Sequence, residues 1–320
     1  MLSSSLLVLL GFVLLMAGAE YAVRGAVAIA NKLKIPALIV GLTIVALGTS
    51  APEFVVSMRA ALKDAEGITV GNIVGSNIAN ILLILGAAAV IYPVSCVRHV
   101  FLRDYAFLFL VTAIFTLFAM EGTLVRWQGI LMLSLLLLFV VYNYFTSKAN
   151  AGNEDENVSP LAERSWALVI FVSVSGLAAI VWGADLLVDG AVSLARLLGV
   201  SEEVIGLTII AFGTSLPELA TSCMAAFRHQ TDVALGNVIG SNIWNIVFIM
   251  GAVCTVTVVE VPAQFLFYDI WIMVLATVLL LPFMYSDNKL SRIEGFVFVL
   301  LYLCYIVSLG LFSKGMISLG

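Results

Sequence analysis

Residues 41–53 read GLTIVALGTSAPE, and residues 206–218 read GLTIIAFGTSLPE. A second pair of stretches follows at the same spacing, because residues 71–86 read GNIVGSNIANILLILG and residues 236–251 read GNVIGSNIWNIVFIMG. Aligned without a gap at a constant offset of 165 residues, the two regions share 23 identities in 46 positions. Self-similarity at a fixed offset marks an internal repeat, so the chain is predicted to contain two homologous halves.

The composition predicts that lipid is the solvent of this chain. Its 320 residues are 62% hydrophobic and only 11% charged, with a mean hydropathy of +1.14, whereas soluble domains carry about 25% charged residues. A spanning helix needs about 20 apolar residues. The apolar runs that predict an all-α polytopic membrane protein of ten helices are 4–31, 36–62, 68–92, 101–120, 124–146, 166–197, 202–227, 233–257, 264–285 and 291–313.

The helix count sets the predicted orientation of the halves. Five spans in each half form an odd number, so the second half enters the membrane upside down relative to the first. We therefore predict ten transmembrane helices as two inverted five-helix repeats, a plan typical of secondary transporters. The predicted boundaries are 1–146 for the first repeat, 147–165 for a polar cytoplasmic linker and 166–320 for the second repeat.

The charges indicate orientation and exclude some partners. Connections on the linker side carry nine Lys and Arg residues, and those on the other side carry five, so the positive-inside rule predicts that both termini lie outside the cell membrane. The first apolar run has no basic n-region and exceeds a cleavable length, which favours a span over a signal peptide. A net charge of −5 without a basic patch argues against nucleic acid as a partner.

The four cysteines lack the spacing typical of metal sites, so no cysteine metal site is predicted.

A proline interrupts the second apolar run close to an acid. Pro52 follows Gly48 by four residues and precedes Glu53, and Pro217 and Glu218 repeat this order. Proline has no N–H and clashes with the carbonyl four residues earlier, so it is predicted to free the carbonyl of Gly48. A free carbonyl in a bilayer persists only where another group satisfies it. A dehydrated cation would do so.

Glu53 and Glu218 are ionisable residues inside predicted spans, which marks a functional site by default. A hydroxyl side chain lies four residues before and four residues after each of them, so the three side chains share one helix face. These sets are Thr49, Glu53 and Ser57, and Thr214, Glu218 and Ser222. An all-oxygen ligand set suits Ca2+ rather than Zn2+. The competing interpretation is a pair of protonated carboxyl groups that tie helices together.

The next predicted helix presents a second polar face in each half. Its members follow the same four-residue spacing and are Asn72, Ser76 and Asn80, and Asn237, Ser241 and Asn245. The competing interpretation of this face, and of Asn77 and Asn242, is polar glue between closely packed helices. Glu20 and Asp185 are also matched acids, and we interpret them as helix ties or interfacial residues, with an ion passage as the alternative.

The paired GTSxPE and GNxxGSN motifs resemble the alpha repeats of the sodium/calcium exchanger family, within the Ca2+/cation antiporter superfamily, and its compact prokaryotic members in particular. The resemblance implies that Ca2+ is held by Glu53, Glu218 and the carbonyls of Thr49 and Thr214. The Na+ ligands that it implies are Ala46, Ser50 and Ser76, and Ala211, Ser215 and Ser241. It places Asn80 and Asn245 at a central position.

The resemblance implies an antiporter that exchanges Na+ for Ca2+ by alternating access, with three Na+ per Ca2+ and no cofactor or obligate protein partner. The potassium-dependent branch tends to carry an acid where this chain has Asn245, which favours K+ independence. An H+/Ca2+ antiporter of the same superfamily is the nearest alternative, and the Thr-Ser pairs at 49–50 and 214–215 favour coupling to Na+ over coupling to H+.

A cation channel is an alternative of another class. The sequence shows no HExxH or GxSxG motif and no candidate catalytic histidine, so an enzyme is not expected.

Overall fold

The computed structural model describes residues 2–95, 98–149, 159–198 and 211–313. Its helices are α1 (Leu2–Leu33), α2 (Ala37–Thr49), α3 (Ala51–Ala61), α4 (Glu66–Ile91), α5 (Arg98–Ala119), α6 (Arg126–Ala149), α7 (Trp166–Leu197), α8 (Ala211–Gly213), α9 (Leu216–Phe227), α10 (Thr231–Val256), α11 (Ile270–Asp287) and α12 (Arg292–Ser313). Its π-helical segments are Gly41–Val45 in α2, Ala79–Leu85 in α4, Trp244–Met250 in α10, and Phe265–Asp269 directly before α11.

The predicted polytopic helical membrane protein is confirmed. Among the described residues, eight helices are long and apolar enough to cross a membrane, and the bent pair of α2 and α3 raises the number to nine. The predicted span 202–227 lies partly outside the described residues, and α8 and α9 are its described parts. α6 continues to Ala149, so its last turn reaches into the first residues of the predicted linker 147–165.

Four two-residue strands add a feature that the all-α prediction left out: β1 (Val94–Ser95), β2 (Thr123–Leu124), β3 (Val259–Glu260) and β4 (Lys289–Leu290). They form two antiparallel pairs, β1 with β4 and β2 with β3. Each pair joins one half of the chain to the other. Repeat-equivalent residues take part in the two pairs. Val94 pairs with Leu290, and Val259, the repeat equivalent of Val94, pairs with Leu124.

α1 and α7 pack against each other with their backbones in contact. Each helix carries three glycines spaced by seven residues, which places them on one face: Gly11, Gly18 and Gly25, and Gly176, Gly183 and Gly190. A Cβ atom built on Gly18 would lie 2.6 Å from the backbone nitrogen of Ile180, and one on Gly183 would lie 2.5 Å from that of Leu15. Only glycine allows this approach, so α1 and α7 form a tight two-helix unit.

α4 and α10 form the centre of the fold. In the most apolar 18-residue stretches of α4 and α10, 78% and 83% of the residues are buried, whereas in that of α12 only 17% are buried. α10 packs against α2 so closely that a Cβ on Gly236 would clash with the carbonyl oxygen of Leu38. These helices carry the second polar face predicted from the sequence, so that face lies in the protein interior.

Two buried acids at equivalent positions were missed by the sequence prediction. Asp104 in α5 and Asp269 before α11 are each 1% exposed. Asp104 receives both of its hydrogen bonds from Arg103, at 2.8 and 3.0 Å. Asp269 accepts from the hydroxyl of Tyr305 at 2.8 Å and from Gln264 at 3.2 Å. Because the oxygens of both acids are satisfied, neither leaves a free ligand, and Asp269 joins the segment before α11 to α12 through Tyr305.

Tyr305→Phe tests the structural role of Asp269. The substitution leaves the Oδ1 atom of Asp269 buried without its donor, which costs about 1–3 kcal/mol. We expect a lower melting temperature in detergent, with ion transport retained once the protein is folded. Tyr302→Phe is the matched control, since the Tyr302 hydroxyl makes no hydrogen bond with the described residues. Equal melting temperatures for both variants would contradict the assigned role.

Candidate ion-binding site

The site is built around two matching breaks in the backbone. α2 ends at Thr49 and α3 starts at Ala51, with a bend of 46° between them. Ser50 at this break has φ −83° and ψ 8°, and Ser215 before α9 has φ −89° and ψ 4°. Pro52 and Pro217 then lie in the first turns of α3 and α9, where a missing N–H removes no helical bond. The predicted interruption is present, and the structure places it two residues before each proline.

The breaks position the two glutamates. Glu53 and Glu218 lie in the first turns of α3 and α9, and each is 1% exposed. The positive end of a helix dipole favours a carboxylate in its first turn. This offsets part of the free-energy cost of burying each charge.

Serines of each half reach the glutamate of the other half. Ser50 Oγ donates to Glu218 Oε1 at 2.8 Å, and Ser215 Oγ donates to Glu53 Oε1 at 3.5 Å. Ser241 Oγ also donates to Glu218 Oε1, at 3.4 Å. The hydroxyl groups of Ser76 and Ser215 are 3.4 Å apart. The structure therefore brings both predicted glutamates and four of the predicted serines into one cluster.

Each glutamate keeps an oxygen without a partner. Oε2 of Glu53 and Oε2 of Glu218 are buried and accept no hydrogen bond. Within the described segments, neither carboxylate is paired with a lysine, an arginine or a histidine. The same segments contain no cluster of three or more His, Cys, Asp and Glu residues arranged to hold a metal. The cluster is therefore two carboxylates among neutral oxygens, a set that suits a hard cation.

The threonine side chains are held by asparagines of the second polar face. Thr49 Oγ1 donates to Asn237 Oδ1 at 3.2 Å, and Thr214 Oγ1 donates to Asn72 Oδ1 at 3.4 Å. Asn72 Nδ2 also donates to the backbone carbonyl oxygen of Glu53 at 3.1 Å. Asn72 and Asn237 thus fasten the broken helices to α4 and α10, which is the polar-glue interpretation.

The remaining predicted ligands occupy different environments. Asn80 and Asn245 are each 1% exposed, and Asn80 Oδ1 and both amide atoms of Asn245 have no hydrogen-bond partner. The carbonyl oxygen of Ala46 accepts from Ser50 N at 2.9 Å and from Thr49 Oγ1 at 3.3 Å. Ala211 begins α8, and its side chain lies outside what the structure describes.

Glu20 is a tie between α1 and the end of α9. It pairs with Arg24 one turn away and with Arg228, whose Nη2 lies 2.5 Å from Glu20 Oε1. Asp185 is exposed and forms no ion pair within the described segments. The interpretation as a helix tie therefore fits Glu20. Its repeat equivalent Asp185 makes no such tie within the described segments.

Two contacts near the cluster were not predicted. Asn80 Nδ2 donates to Asn242 Oδ1 at 3.1 Å, and Trp244 Nε1 donates to the carbonyl of Leu42 at 3.0 Å. Leu42 lies in the π-helical segment of α2, where the regular backbone bonding is altered. The GSN motif marked Asn242 as polar, but the sequence contains no signal for its partner in the other half.

Comparison with known proteins identifies the family. Residues 3–145 and 168–310 match the model of the family described as sodium/calcium exchanger protein. The chain is 39% identical over 314 residues to CaxA of Alkalimonas amylolytica, a protein named as an antiporter, with 95% of this chain and 98% of CaxA covered. It is 34% identical over 341 residues to the sodium/calcium exchanger MaX1 of Methanosarcina acetivorans, with 95% and 97% covered.

The fold matches a solved exchanger. Against the sodium-calcium exchanger NCX_Mj soaked with zero Na+ and Ca2+, the TM-score is 0.83 at 32% sequence identity, with 96% of this chain and 99% of that chain covered. These relatives are named as exchangers and antiporters, not as enzymes. With both halves matched by one family model and nearly the whole chain aligned, the protein belongs to the sodium/calcium exchanger family.

Proposed function

We propose that this protein exchanges Na+ for Ca2+ across the plasma membrane by alternating access, without a cofactor or an obligate protein partner. The observation that carries the proposal is the pair of buried Oε2 atoms of Glu53 and Glu218, which have no partner. Two unpaired carboxylates in a low dielectric are unfavourable until a cation joins them. The empty transporter then has a high free-energy barrier to switching between its outward-open and inward-open states. Because only the ion-loaded protein switches readily, the movement of one ion is coupled to the movement of the other.

We place Ca2+ between the two glutamates, with the carbonyls of Thr49 and Thr214 as further ligands. We propose that the serines that donate to the glutamates bind Na+ when Ca2+ has left, which their hydrogen bonds to the carboxylates support. The proposed Na+ ligands are Ala46, Ser50 and Ser76, and Ala211, Ser215 and Ser241. Asn80 and Asn245 form the central position.

The charge of the site supports an electrogenic, K+-independent cycle. Two ionised glutamates give a fixed charge of −2, which one Ca2+ balances, and the amides of Asn80 and Asn245 add none. Three Na+ exchanged for one Ca2+ would move one net charge per cycle. Moving one charge across 100 mV changes the free energy by about 2.3 kcal/mol, so transport should respond to voltage.

We propose the ten-helix plan of two inverted repeats, with residues 1–146 and 166–320 as the repeats and 147–165 as a cytoplasmic linker. The reciprocal pairing of β1 with β4 and of β2 with β3 supports a two-fold relation between the halves. The tenth span would come from residues 202–227. The excess of Lys and Arg on the linker side supports termini that lie outside the cell.

The family resemblance implies that the first and sixth spans move, and these are α1 and α7, so we propose their two-helix unit as the moving part of the cycle. Their backbone contact at Gly18 and Gly183 supports motion as one body. The glutamates lie on α3 and α9 outside this unit. Sliding of the unit across the cluster would open one side at a time.

The test is uptake of radioactive Ca2+ into proteoliposomes. Vesicles loaded with Na+ and diluted into Na+-free medium should take up Ca2+, with no added K+ and no effect of a protonophore. Vesicles loaded with choline are the control and should show no uptake. Uptake driven by a pH gradient without Na+ would overturn the Na+ assignment and support the H+/Ca2+ alternative. Unitary currents in a bilayer would instead indicate a channel.

Asn245→Asp tests the proposed central position. A third buried acid beside the glutamates increases the ligand charge, and charge count is what tunes Ca2+ affinity. We expect the KM for Ca2+ to fall about fivefold and kcat to fall with it, because a tighter ion leaves more slowly. Asn288→Asp, in an exposed turn, is the control. Equal kinetics for both variants would show that Asn245 lies outside the ion path.

A further inference from the structure

Asn242 makes a contact that ion ligation does not explain. It lies in α10, is 1% exposed, and accepts a hydrogen bond through Oδ1 from Nδ2 of Asn80 in α4, at 3.1 Å. This bond joins the two halves of the chain next to the glutamate cluster. Asn242 has no place in the ligand set proposed above, whereas Asn80 belongs to the central position.

The bond occupies one polar atom of the Asn80 amide, and the other atom remains for an ion. An asparagine side chain ends in one acceptor oxygen and one donor NH2 group, and rotation of the amide exchanges them. In the structure Asn80 Nδ2 is bound to Asn242 Oδ1, which leaves Asn80 Oδ1 and Asn242 Nδ2 buried without partners. An oxygen in that position attracts a cation, whereas an NH2 group would repel one.

The equivalent residues of the repeat are arranged differently. Asn77 corresponds to Asn242, and its Nδ2 donates to the carbonyl of Ile73 in its own helix at 2.8 Å. Asn245 corresponds to Asn80, and neither of its amide atoms has a partner. One of the two central amides is therefore bonded to a neighbour, and the other is not.

We propose that Asn242 is a positioning residue that holds the Asn80 amide with its oxygen toward the transported cation. This assignment rests on the proposed function, because it presumes that Asn80 contributes to an ion site. Asn242 acts through Asn80 and touches no ion itself. Its removal should therefore weaken cation binding and leave the rate of turnover largely unchanged.

A double-mutant cycle tests the proposal. The wild type, Asn242→Ala, Asn80→Ala and the double variant are compared by Na+-dependent Ca2+ uptake and by equilibrium binding of radioactive Ca2+ in detergent. Asn242→Ala should raise the KM and the dissociation constant for Ca2+ about fivefold, with kcat within about twofold of wild type. The double variant should bind Ca2+ no more weakly than Asn80→Ala alone.

Asn242→Asp keeps the acceptor, because a carboxylate still accepts from Asn80 but cannot donate to it. Its added charge raises Ca2+ affinity by itself, so the effect of Asn80→Ala is measured relative to Asn242→Asp. In this background, Asn80→Ala should weaken Ca2+ binding by the same factor as in the wild type, so the pair still reports if Asn242→Ala fails to fold. Asn77→Ala is the matched control, and it should stay within about twofold of wild type because its amide is bound to its own helix.

Additive effects of Asn242→Ala and Asn80→Ala would overturn the proposal, and so would loss of the Asn80 effect in the Asn242→Asp background. An equal rise in KM for Asn77→Ala would overturn the asymmetry between the halves. The binding measurement separates this inference from the proposed function. Wild-type protein that binds Ca2+ but shows no Na+-driven uptake would refute the Na+ exchange, while the cycle would still decide the role of Asn242.

Discussion

Replacing either Glu53 or Glu218 by glutamine should reduce Ca2+ uptake to less than about 1% of wild type, because the site loses half of its fixed charge and one charged ligand. Both carboxylates are buried, and each keeps one oxygen without a partner. Glutamine has nearly the same shape and retains an oxygen that can accept the bond from Ser50 or Ser215. The fold should therefore survive, and removing an unpaired buried charge should leave the melting temperature equal or higher.

The measurement is Na+-dependent uptake in proteoliposomes, together with the melting temperature of each purified variant. Glu260→Gln is the matched control, since this glutamate is exposed at the end of β3. The control should transport at the wild-type rate. Normal exchange by either the Glu53 or the Glu218 variant would remove that residue from the site.

Gly240→Ala should disrupt both folding and transport, although it adds only one methyl group. A Cβ at this position would lie 2.6 Å from the carbonyl oxygen of Leu42 and 2.7 Å from the Cβ of Ala46. Overpacking of this kind typically costs about 1–3 kcal/mol. Relief of the clash requires α10 and α2 to move apart, which displaces the proposed ligand Ala46. We expect uptake to fall at least about tenfold, since a small displacement of ligands is costly.

Gly67→Ala is the control for that substitution. Gly67 lies in the first turn of α4, and the nearest atom to its added Cβ would be Cγ of Pro262 at 3.7 Å, an ordinary contact. Thermal unfolding and uptake should match the wild type there. If Gly240→Ala were as stable and as active as Gly67→Ala, the close packing of α10 on α2 would be wrong.

The sequence predicted well those features that have a direct signal in the sequence itself, such as an apolar run, a repeated motif or a proline. Hydrophobic runs give spans because each must fill the bilayer thickness. The repeat at an offset of 165 residues identified Glu53 and Glu218 as partners, and the structure joins them through Ser50 and Ser215. Pro52 predicted a break because its effect on the backbone is confined to the preceding turn.

The features that sequence did not predict depend on contacts between distant segments. The pairing of Val94 with Leu290 and the bond from Asn80 to Asn242 join the two halves, and neither position carries a local signature of its partner. Asp269 was overlooked although the same offset pairs it with Asp104, and neither acid carries a local sign of the group that satisfies it, which for Asp269 is Tyr305. The seven-residue spacing from Gly11 to Gly18 is visible in the sequence, but its partner helix becomes clear only in the fold.

The central claim is that one Ca2+ is held jointly by the glutamates of both halves. The most direct measurement is diffraction from crystals grown in Ca2+ without Na+, with Ca2+ located by its anomalous signal at long wavelength. The account predicts one strong peak about 2.3–2.6 Å from carboxylate oxygens of both Glu53 and Glu218. A peak bound by only one of these glutamates, or a Ca2+ site elsewhere in the protein with none between them, would contradict it.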